Sequence, residues 1–405
     1  MSLSYIWIFI LLLTAGTPVV FALLVGPGLS LMIDGNEVFF SALLNRLFSG
    51  MNSFPLMAVP FFILAGELMN QGGITQSIVR FSQTLIGHYR GGLAQVNILS
   101  SVLFAGLSGS AVADTSALGK MLIPAMEKNG FSRRFAAAVT AASSVIGPII
   151  PPSGIMILYA FIMNVSVAGM FLAGIVPGLM ICAGLMIVTS RIAKKRNYPI
   201  ANKKATWSER SSAFKVSFLP LLTPVILLGG IILGVFTPTE AAAVAVGYAL
   251  VITLFITNTL KIIQLPKILV DAAVQSGTIL LLVGSAVVFA WIITVSGLAD
   301  SLAANITGIT TNVLLLLLII NLFLFAIGMF LDAGPAILIL GPVLAPIFIS
   351  LGIDPLHFAV IMCVNLTVGL ATPPMGLVLF VAASVSGEKT ENIALGMLPF
   401  LAVQA

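Results

Sequence analysis

Charge is what this sequence has least of. Of its 405 residues 8% are charged and 59% hydrophobic. A soluble domain carries roughly 25% charged residues, so this chain has too little charge to cover a water-facing surface, which argues against a soluble enzyme or a soluble receptor. Bilayer is the solvent that fits. Cysteine is scarce too: Cys182 and Cys363 lie in apolar segments far apart, which implies no disulfide framework. The two histidines, His88 and His357, fall near expected loops and read as solvated. Neither is placed to act as a base for Ser108, which argues against serine-protease chemistry. The N-terminus lacks a basic segment before its first apolar run, so that run reads as a first membrane helix rather than a removable signal.

What the chain has is long apolar runs. Residues 167–188 contain no polar side chain apart from Cys182, and residues 313–330 are interrupted only by Asn321. Barrel strands alternate every second residue, and a lipid-exposed backbone must satisfy itself internally. The spans are therefore helices, and the length allows roughly ten to twelve of them. The net charge of +5 would suggest nucleic acid in a soluble protein, but here the basic residues concentrate in one loop. Arg191, Lys194, Lys195, Arg196, Lys203, Lys204 and Arg210 stand there with one acid, Glu209. By the Lys/Arg asymmetry this loop is cytoplasmic. Counting spans outward puts Arg90, Lys128, Arg133, Arg134, Lys261, Lys267 and Lys389 on the same side. Segments 297–312 and 350–357, which hold no Lys or Arg, fall outside.

Two stretches repeat. Asp114, Pro124, Gly130, Gly147, Pro151, Pro152 and Gly154 match Asp332, Pro342, Gly352, Gly369, Pro373, Pro374 and Gly376. The Asp-to-Pro interval is ten residues in both, and Gly130–Pro151 and Gly352–Pro373 are both 21. Fainter matches join Gly73 with Gly297 and Thr17-Pro18 with Thr237-Pro238. The charge argument puts the copies on opposite sides, which makes them inverted repeats, a construction common among secondary transporters. The expected organisation is a first repeat over 1–190, a cytoplasmic basic linker over 191–213 and a second repeat over 214–405. Each repeat holds a re-entrant hairpin (about 93–126 and 313–349) and a broken span (about 134–163 and 358–386). The fold class is an all-α polytopic membrane protein.

Each copy carries an aspartate beside small residues and a span broken by glycine and proline. Proline removes a backbone donor, and the carbonyls so freed must be buried in protein or line a wet cavity. Oxygens at half-helix C-termini suit Na⁺. An aspartate at membrane depth costs about 2.5–3.5 kcal/mol on the insertion scale, which a nearby cation offsets. The first candidate Na⁺ site is Ser108, Ser110, Asp114, Gly147 and Pro151; the second is Gly328, Asp332, Gly369, Thr372 and Pro373. The competing reading is that both aspartates are helix N-caps, that the serines are packing residues and that the Pro-Pro breaks are kinks. Glu67, Glu240 and Lys120 receive no role. An intramembrane aspartyl protease would need Asp114 and Asp332 close enough to share a proton, and their place in oppositely oriented elements argues against it.

These residues resemble the large membrane subunit (M-type) of the tripartite ATP-independent periplasmic (TRAP) transporters. The resemblance is carried by residues 54–69, 108–114, 147–154 and 332–376 and runs over nearly the whole chain. It implies an elevator-type symporter in a bacterial inner membrane, with two or more Na⁺ ions driving uptake of an organic acid, sialic acid or a C4-dicarboxylate. It also implies a small membrane subunit (Q-type) packed on the scaffold and a periplasmic substrate-binding protein that delivers the substrate. No carboxylate clamp emerges, because Lys120 alone among the basic residues reads as lying at membrane depth. The family usually ends in a further membrane helix, whereas residues 396–405 after the last polar stretch reach about 15 Å as helix, half the bilayer core. A stand-alone Na⁺/dicarboxylate symporter of related architecture is the alternative; dependence on a binding protein separates the two.

Overall fold

The computed structural model describes residues 4–200, 204–298, 301 and 312–404. Every regular element among them is helical. Six helical segments among these residues are long and apolar enough to cross a membrane: Phe54–Gln71, Val167–Lys195, Trp207–Ile232, Pro238–Ile256, Ile262–Ser296 and Ala333–Ser350. The remaining apolar helices are shorter, because hairpin turns and Gly/Pro breaks divide them. The expected outer segment 297–312 lies outside the described residues except for 297, 298, 301 and 312. The same holds for residues 1–3, 201–203 and 405 of the three expected regions.

Local chemistry sets the ends. Trp207–Ile232 starts earlier than hydropathy suggests because Thr206 and Glu209 form a capping box: the Thr206 hydroxyl accepts from Glu209 N–H at 3.2 Å, and Thr206 N–H donates to the Glu209 carboxylate at 2.7 Å. Thr237 and Glu240 do the same for Pro238–Val251. Leu265–Ser296 also begins before its apolar core, with Pro266 in its first turn, where a missing N–H costs nothing. The final helix runs over Thr390–Gln404, longer than its apolar tail alone suggests, because Glu391 and Asn392 join its first turn.

Two hairpins and two broken helices form the middle of the molecule. Hairpin 1 is Gly92–Ser108 with Ala111–Lys128; hairpin 2 is Val313–Gly328 with Ala333–Ser350. Broken span 1 is Arg133–Ser144 with Gly154–Met163; broken span 2 is Pro355–Gly369 with Leu377–Ser386. Each break contains a cis Pro–Pro peptide, Pro151–Pro152 and Pro373–Pro374.

The packing is reciprocal. Ala111–Lys128 of hairpin 1 packs on Leu377–Ser386 of broken span 2, and Ala333–Ser350 of hairpin 2 packs on Gly154–Met163 of broken span 1. Glycines mark both crossings: a Cβ on Gly119 would stand 3.3 Å from Val385, and one on Gly341 would stand 3.6 Å from Met163. Around this middle, Pro238–Val251 packs on Ala58–Gln71, and Leu265–Ser296 packs on Phe40–Met51 and Val19–Ile33. Tyr5 ties the first helix to Ser296 through a 2.7 Å hydroxyl pair.

One end of the helices gathers basic residues. Arg90 donates to Asn197 at 2.9 Å, Gly91 N–H to Pro199 at 3.3 Å, and Arg133 to Glu127 at 2.7 Å. The Arg133 guanidinium is held above its ordinary range by Glu127, with Glu388 adding to the field. Glu388 is held below the usual carboxylate range, first by Asn392 and Lys389 hydrogen bonds and then by Arg133 and Arg134.

Candidate functional site

The first candidate site assembles where the tip of hairpin 1 meets break 1. Gly109 makes the turn with φ +57, and a Cβ there would lie 2.8 Å from the Pro152 carbonyl oxygen. A Cβ on Gly147 would lie 3.1 Å from Ser144 O and 3.5 Å from Ser110. Only glycine permits this approach of tip and break. From the helix Ala58–Gln71, a Cβ on Gly66 would meet Leu107 O at 2.9 Å, which gives the 54–69 motif a reason for its glycine. Ser108, Ser110, Gly147 and Pro151 thus come together at one junction. Between Ser144 and Ser153, the carbonyls of Gly147, Ile149, Ile150 and Pro151 accept no hydrogen bond from the described residues.

Asp114 sits one turn inside the returning helix rather than at its start. Ser110 is the N-cap, accepting from Ala113 N–H at 3.4 Å. The competing reading of Asp114 as the cap therefore does not hold, because the helix begins earlier, at Ala111. Asp114 is 0% exposed, the one charged side chain so enclosed among the described residues. Ser101 stands beside it, but Ser101 donates instead to Ser143 at 3.0 Å, and neither carboxylate oxygen of Asp114 has a hydrogen-bond partner.

The residues behind Asp114 were not singled out from sequence. Asn97 donates to Thr140 at 2.5 Å, Ser143 to Asn97 at 3.3 Å and Thr115 to Ser144 at 2.7 Å, all buried. This ladder joins both arms of hairpin 1 to broken span 1. The signal was present as polar residues one helical turn apart (Asn97 and Ser101, Thr140 and Ser144), since small polar residues in apolar helices mark helix–helix contacts.

The second candidate site is built differently. Gly328 and Gly369 touch backbone to backbone: a Cβ on Gly369 would lie 2.5 Å from Gly328 Cα, and one on Gly328 would lie 2.7 Å from Leu366 O. Asp332 is the N-cap of Ala333–Ser350, accepting from Ala333 N–H at 2.8 Å, and its side chain reaches the surface. No hydrogen bond joins it to break 2 among the described residues. Thr372 is buried and its hydroxyl donates to Val368 O at 2.8 Å, while Gly369 O already accepts from Thr372 N–H at 2.9 Å. Pro373 follows Thr372 in the break, and its carbonyl accepts nothing from the described residues. A single polar tie stands where the first copy has a ladder: Asn365 donates to Asn321 at 2.5 Å, joining broken span 2 to hairpin 2.

The oxygen-only donor sets suit a hard cation, and the first adds a buried carboxyl group with no hydrogen-bond partner in the protein. Outside these sites, His88 departs from the solvated expectation: its Nδ1 is buried without a partner and its ring stacks on Tyr89 at 4.2 Å. His357 is exposed as expected.

Residues 6–405 match the DctM component of the tripartite ATP-independent periplasmic transporters. The chain belongs to this family. It is 42% identical over 390 residues to the sialic acid TRAP transporter large permease protein SiaM of Vibrio cholerae, covering 96% of this chain and 91% of that protein. It is 39% identical over 389 residues to the 2,3-diketo-L-gulonate TRAP transporter large permease protein YiaN of Escherichia coli, covering 96% and 91%. It is 35% identical over 370 residues to the C4-dicarboxylate TRAP transporter large permease protein DctM of Rhodobacter capsulatus, covering 88% and 84%. Among solved structures, its fold is similar to the YdaH transporter of Alcanivorax borkumensis, with TM-score 0.65, 17% identity and 92% and 86% of the two chains covered. MtrF of Neisseria gonorrhoeae gives TM-score 0.62 at 13% identity, with 92% and 83% covered. This TRAP large permease is thus a membrane transporter component whose relatives are named as permeases, not as enzymes.

Proposed function

We propose that this chain is the sodium-coupled, substrate-translocating subunit of a TRAP system that takes up a small organic acid across the inner membrane. The observation that carries the proposal is Asp114: a carboxylate wholly enclosed, unpartnered, and next to a hairpin–break junction lined with free carbonyls. An unpaired buried charge costs several kcal/mol. Na⁺ between Asp114, Ser108, Ser110 and the Gly147–Pro151 carbonyls offsets that cost and ties the hairpin tip to the break. A second Na⁺ at Gly328, Asp332, Gly369, Thr372 and Pro373 does the same by carbonyl dipoles. With both tips ordered, the space between them takes the substrate, so Na⁺ and the acid strengthen each other's binding reciprocally.

The reciprocal packing of each hairpin on the opposite broken span supports reading the halves as inverted repeats, and their joint packing supports their moving as one body past the scaffold, the elevator motion. The named substrates of the relatives, sialic acid, 2,3-diketo-L-gulonate and C4-dicarboxylates, are all organic acids. The sialic acid permease SiaT of Haemophilus influenzae is matched over 98% of this chain but 64% of its own length, which leaves room in it for a further part beside the same unit. That fits a small membrane subunit here, with a periplasmic binding protein as the third component.

The test is initial uptake into proteoliposomes of sialic acid, 2,3-diketo-L-gulonate and a C4-dicarboxylate, with and without the small subunit and a cognate binding protein, under Na⁺ or K⁺ gradients. Uptake of one acid that needs Na⁺ and the binding protein supports the reading. Uptake that proceeds fully without the binding protein selects the stand-alone symporter, and uptake indifferent to Na⁺ overturns the coupling.

A further inference from the structure

A polar notch lies away from both candidate ion sites, at the basic end of the molecule. It is a cavity of about 410 Å³ between Ile74–Ile86 and the start of Trp207–Ile232, lined by Arg80, Gln83, Thr84, Lys204, Glu209 and Ser212. The two helices are pinned there by Ser217, whose hydroxyl donates to Ser77 O at 2.8 Å. The guanidinium of Arg80 and the ammonium of Lys204 have no ion pair or hydrogen bond to the described residues. The one carboxylate in the notch, Glu209, is occupied by the Thr206 cap at 2.7 and 2.9 Å. Two cations therefore face a cavity with no protein anion to receive them.

The wall below the notch is apolar and aromatic. Phe81 packs tilted against Phe214 with centroids 5.7 Å apart, and Phe214 against Phe218 at 5.4 Å. Phe214 is 45% and Phe218 42% exposed, one turn apart down the helix. Trp207, 84% exposed, stands at the helix start beside Arg210, whose guanidinium lies 5.6 Å from the ring. Exposed tryptophan at a helix end marks the headgroup level of a bilayer. A basic notch at that level, continued by an apolar wall toward the bilayer centre, has the shape of a whole lipid. A free phosphate would use the notch and leave the wall uncovered.

We propose that this notch binds an anionic phospholipid of the cytoplasmic leaflet, its headgroup phosphate between Arg80 and Lys204 and an acyl chain along Phe214 and Phe218. The cytoplasmic leaflet follows from the Lys/Arg asymmetry and carries the negative surface potential that such residues meet. The site is independent of the transport cycle and stands whether or not Na⁺ is the coupling ion.

The test is native mass spectrometry of the full chain in detergent, titrated with phosphatidylglycerol and, separately, with zwitterionic phosphatidylethanolamine. At about a fivefold affinity contribution per basic residue, Lys204→Gln should lower retained phosphatidylglycerol about fivefold and Arg80→Gln/Lys204→Gln about 25-fold. Phosphatidylethanolamine retention should not change in either. Lys204 precedes the helix and is exposed, so the single variant keeps the proposal testable if the double variant fails to fold. Equal phosphatidylglycerol retention in wild type and Lys204→Gln overturns the site. Displacement of phosphatidylglycerol by millimolar inorganic phosphate overturns the lipid and assigns the notch to a soluble anion.

Discussion

The two hairpin–break junctions share a plan and differ in how they hold charge. In the first, an enclosed carboxylate without a partner follows a hairpin turn packed on a break whose carbonyls lack donors. In the second, Asp332 caps its own helix at the surface, and Thr372 and Gly369 are bonded within the break. Four residues of helix phasing produce much of this. The returning helix of hairpin 1 starts at Ala111 with Ser110 as cap, which carries Asp114 into the interior; that of hairpin 2 starts at Ala333, which leaves Asp332 as the cap. Positions matched by sequence spacing need not do matching jobs. Under the proposed function the first junction relies on a carboxylate to hold its cation, and the second relies on close backbone contact.

The sharpest way to break this comparison is at Asp114. Losing a charged ligand removes about 1.5–3 kcal/mol, so Asp114→Ala should lower apparent Na⁺ affinity roughly tenfold to a hundredfold, read as initial uptake rate against Na⁺ concentration. Asp114→Asn carries a second signature. It removes an unpaired buried charge, so in Na⁺-free buffer it should melt higher than wild type while gaining less from added Na⁺. If both variants keep wild-type Na⁺ affinity and wild-type melting, the first junction does not bind Na⁺ through this carboxylate.

Next in size is the glycine contact of the second junction. A methyl at Gly369 would sit 2.5 Å from Gly328 backbone, where nothing flexible can give way, whereas one at Gly154 meets nothing within 4 Å. Overpacking of this kind costs about 1–3 kcal/mol. Gly369→Ala should therefore lower the melting temperature and abolish most uptake, and Gly154→Ala should do neither. Equal tolerance at the two positions would mean that the backbone contact does not organise the second site.

Much of this arrangement was legible in the sequence, and the limits have physical causes. The Gly-Pro clusters at 147–154 and 369–376 fall where helices are interrupted, because adjacent prolines remove backbone donors, whereas single prolines such as Pro124, Pro177 and Pro342 lie inside helices. Hydropathy found the apolar spans but not the true starts of Trp207–Ile232 and Leu265–Ser296, since capping and a first-turn proline set those ends in polar sequence. The inequality of Asp114 and Asp332 was invisible, because it depends on where a helix starts, and Ser110 competes for the cap. The Asn97, Ser101, Thr115, Thr140, Ser143 and Ser144 ladder escaped notice for another reason: each residue alone reads as a small packing residue, and only the fold lays them side by side.

The ladder and its counterpart supply the third comparison. Asn365 to Asn321 is one tie, and removing one partner strands the other in a low-dielectric setting, which costs about 0.6 kcal/mol on average and up to about 1.7 in membrane helices. Asn365→Leu should lower the melting temperature detectably. Thr140→Val, in a ladder with alternative partners, should lower it less. Thermal unfolding of both in one detergent settles the order, and a larger effect at Thr140 would reverse the view that redundancy protects the first junction.

The smallest expected effect is at Asp332, and it tests the comparison from the other side. If Asp332 acts as a cap, its value lies in accepting the Ala333 N–H, which asparagine can also do, since the two residues rank equally as N-caps. Asp332→Asn should then keep both stability and Na⁺ dependence, while Asp332→Ala should lose about 1 kcal/mol of stability with little change in apparent Na⁺ affinity. If the carboxylate also ligates Na⁺, asparagine fails as well: Na⁺ affinity falls in both variants, while stability falls only in alanine. Uptake against Na⁺ concentration, measured beside thermal unfolding for wild type, Asp332→Asn and Asp332→Ala, separates the two roles. A loss of Na⁺ affinity in Asp332→Asn matching that of Asp114→Asn would erase the asymmetry between the junctions and restore two equivalent charged sites.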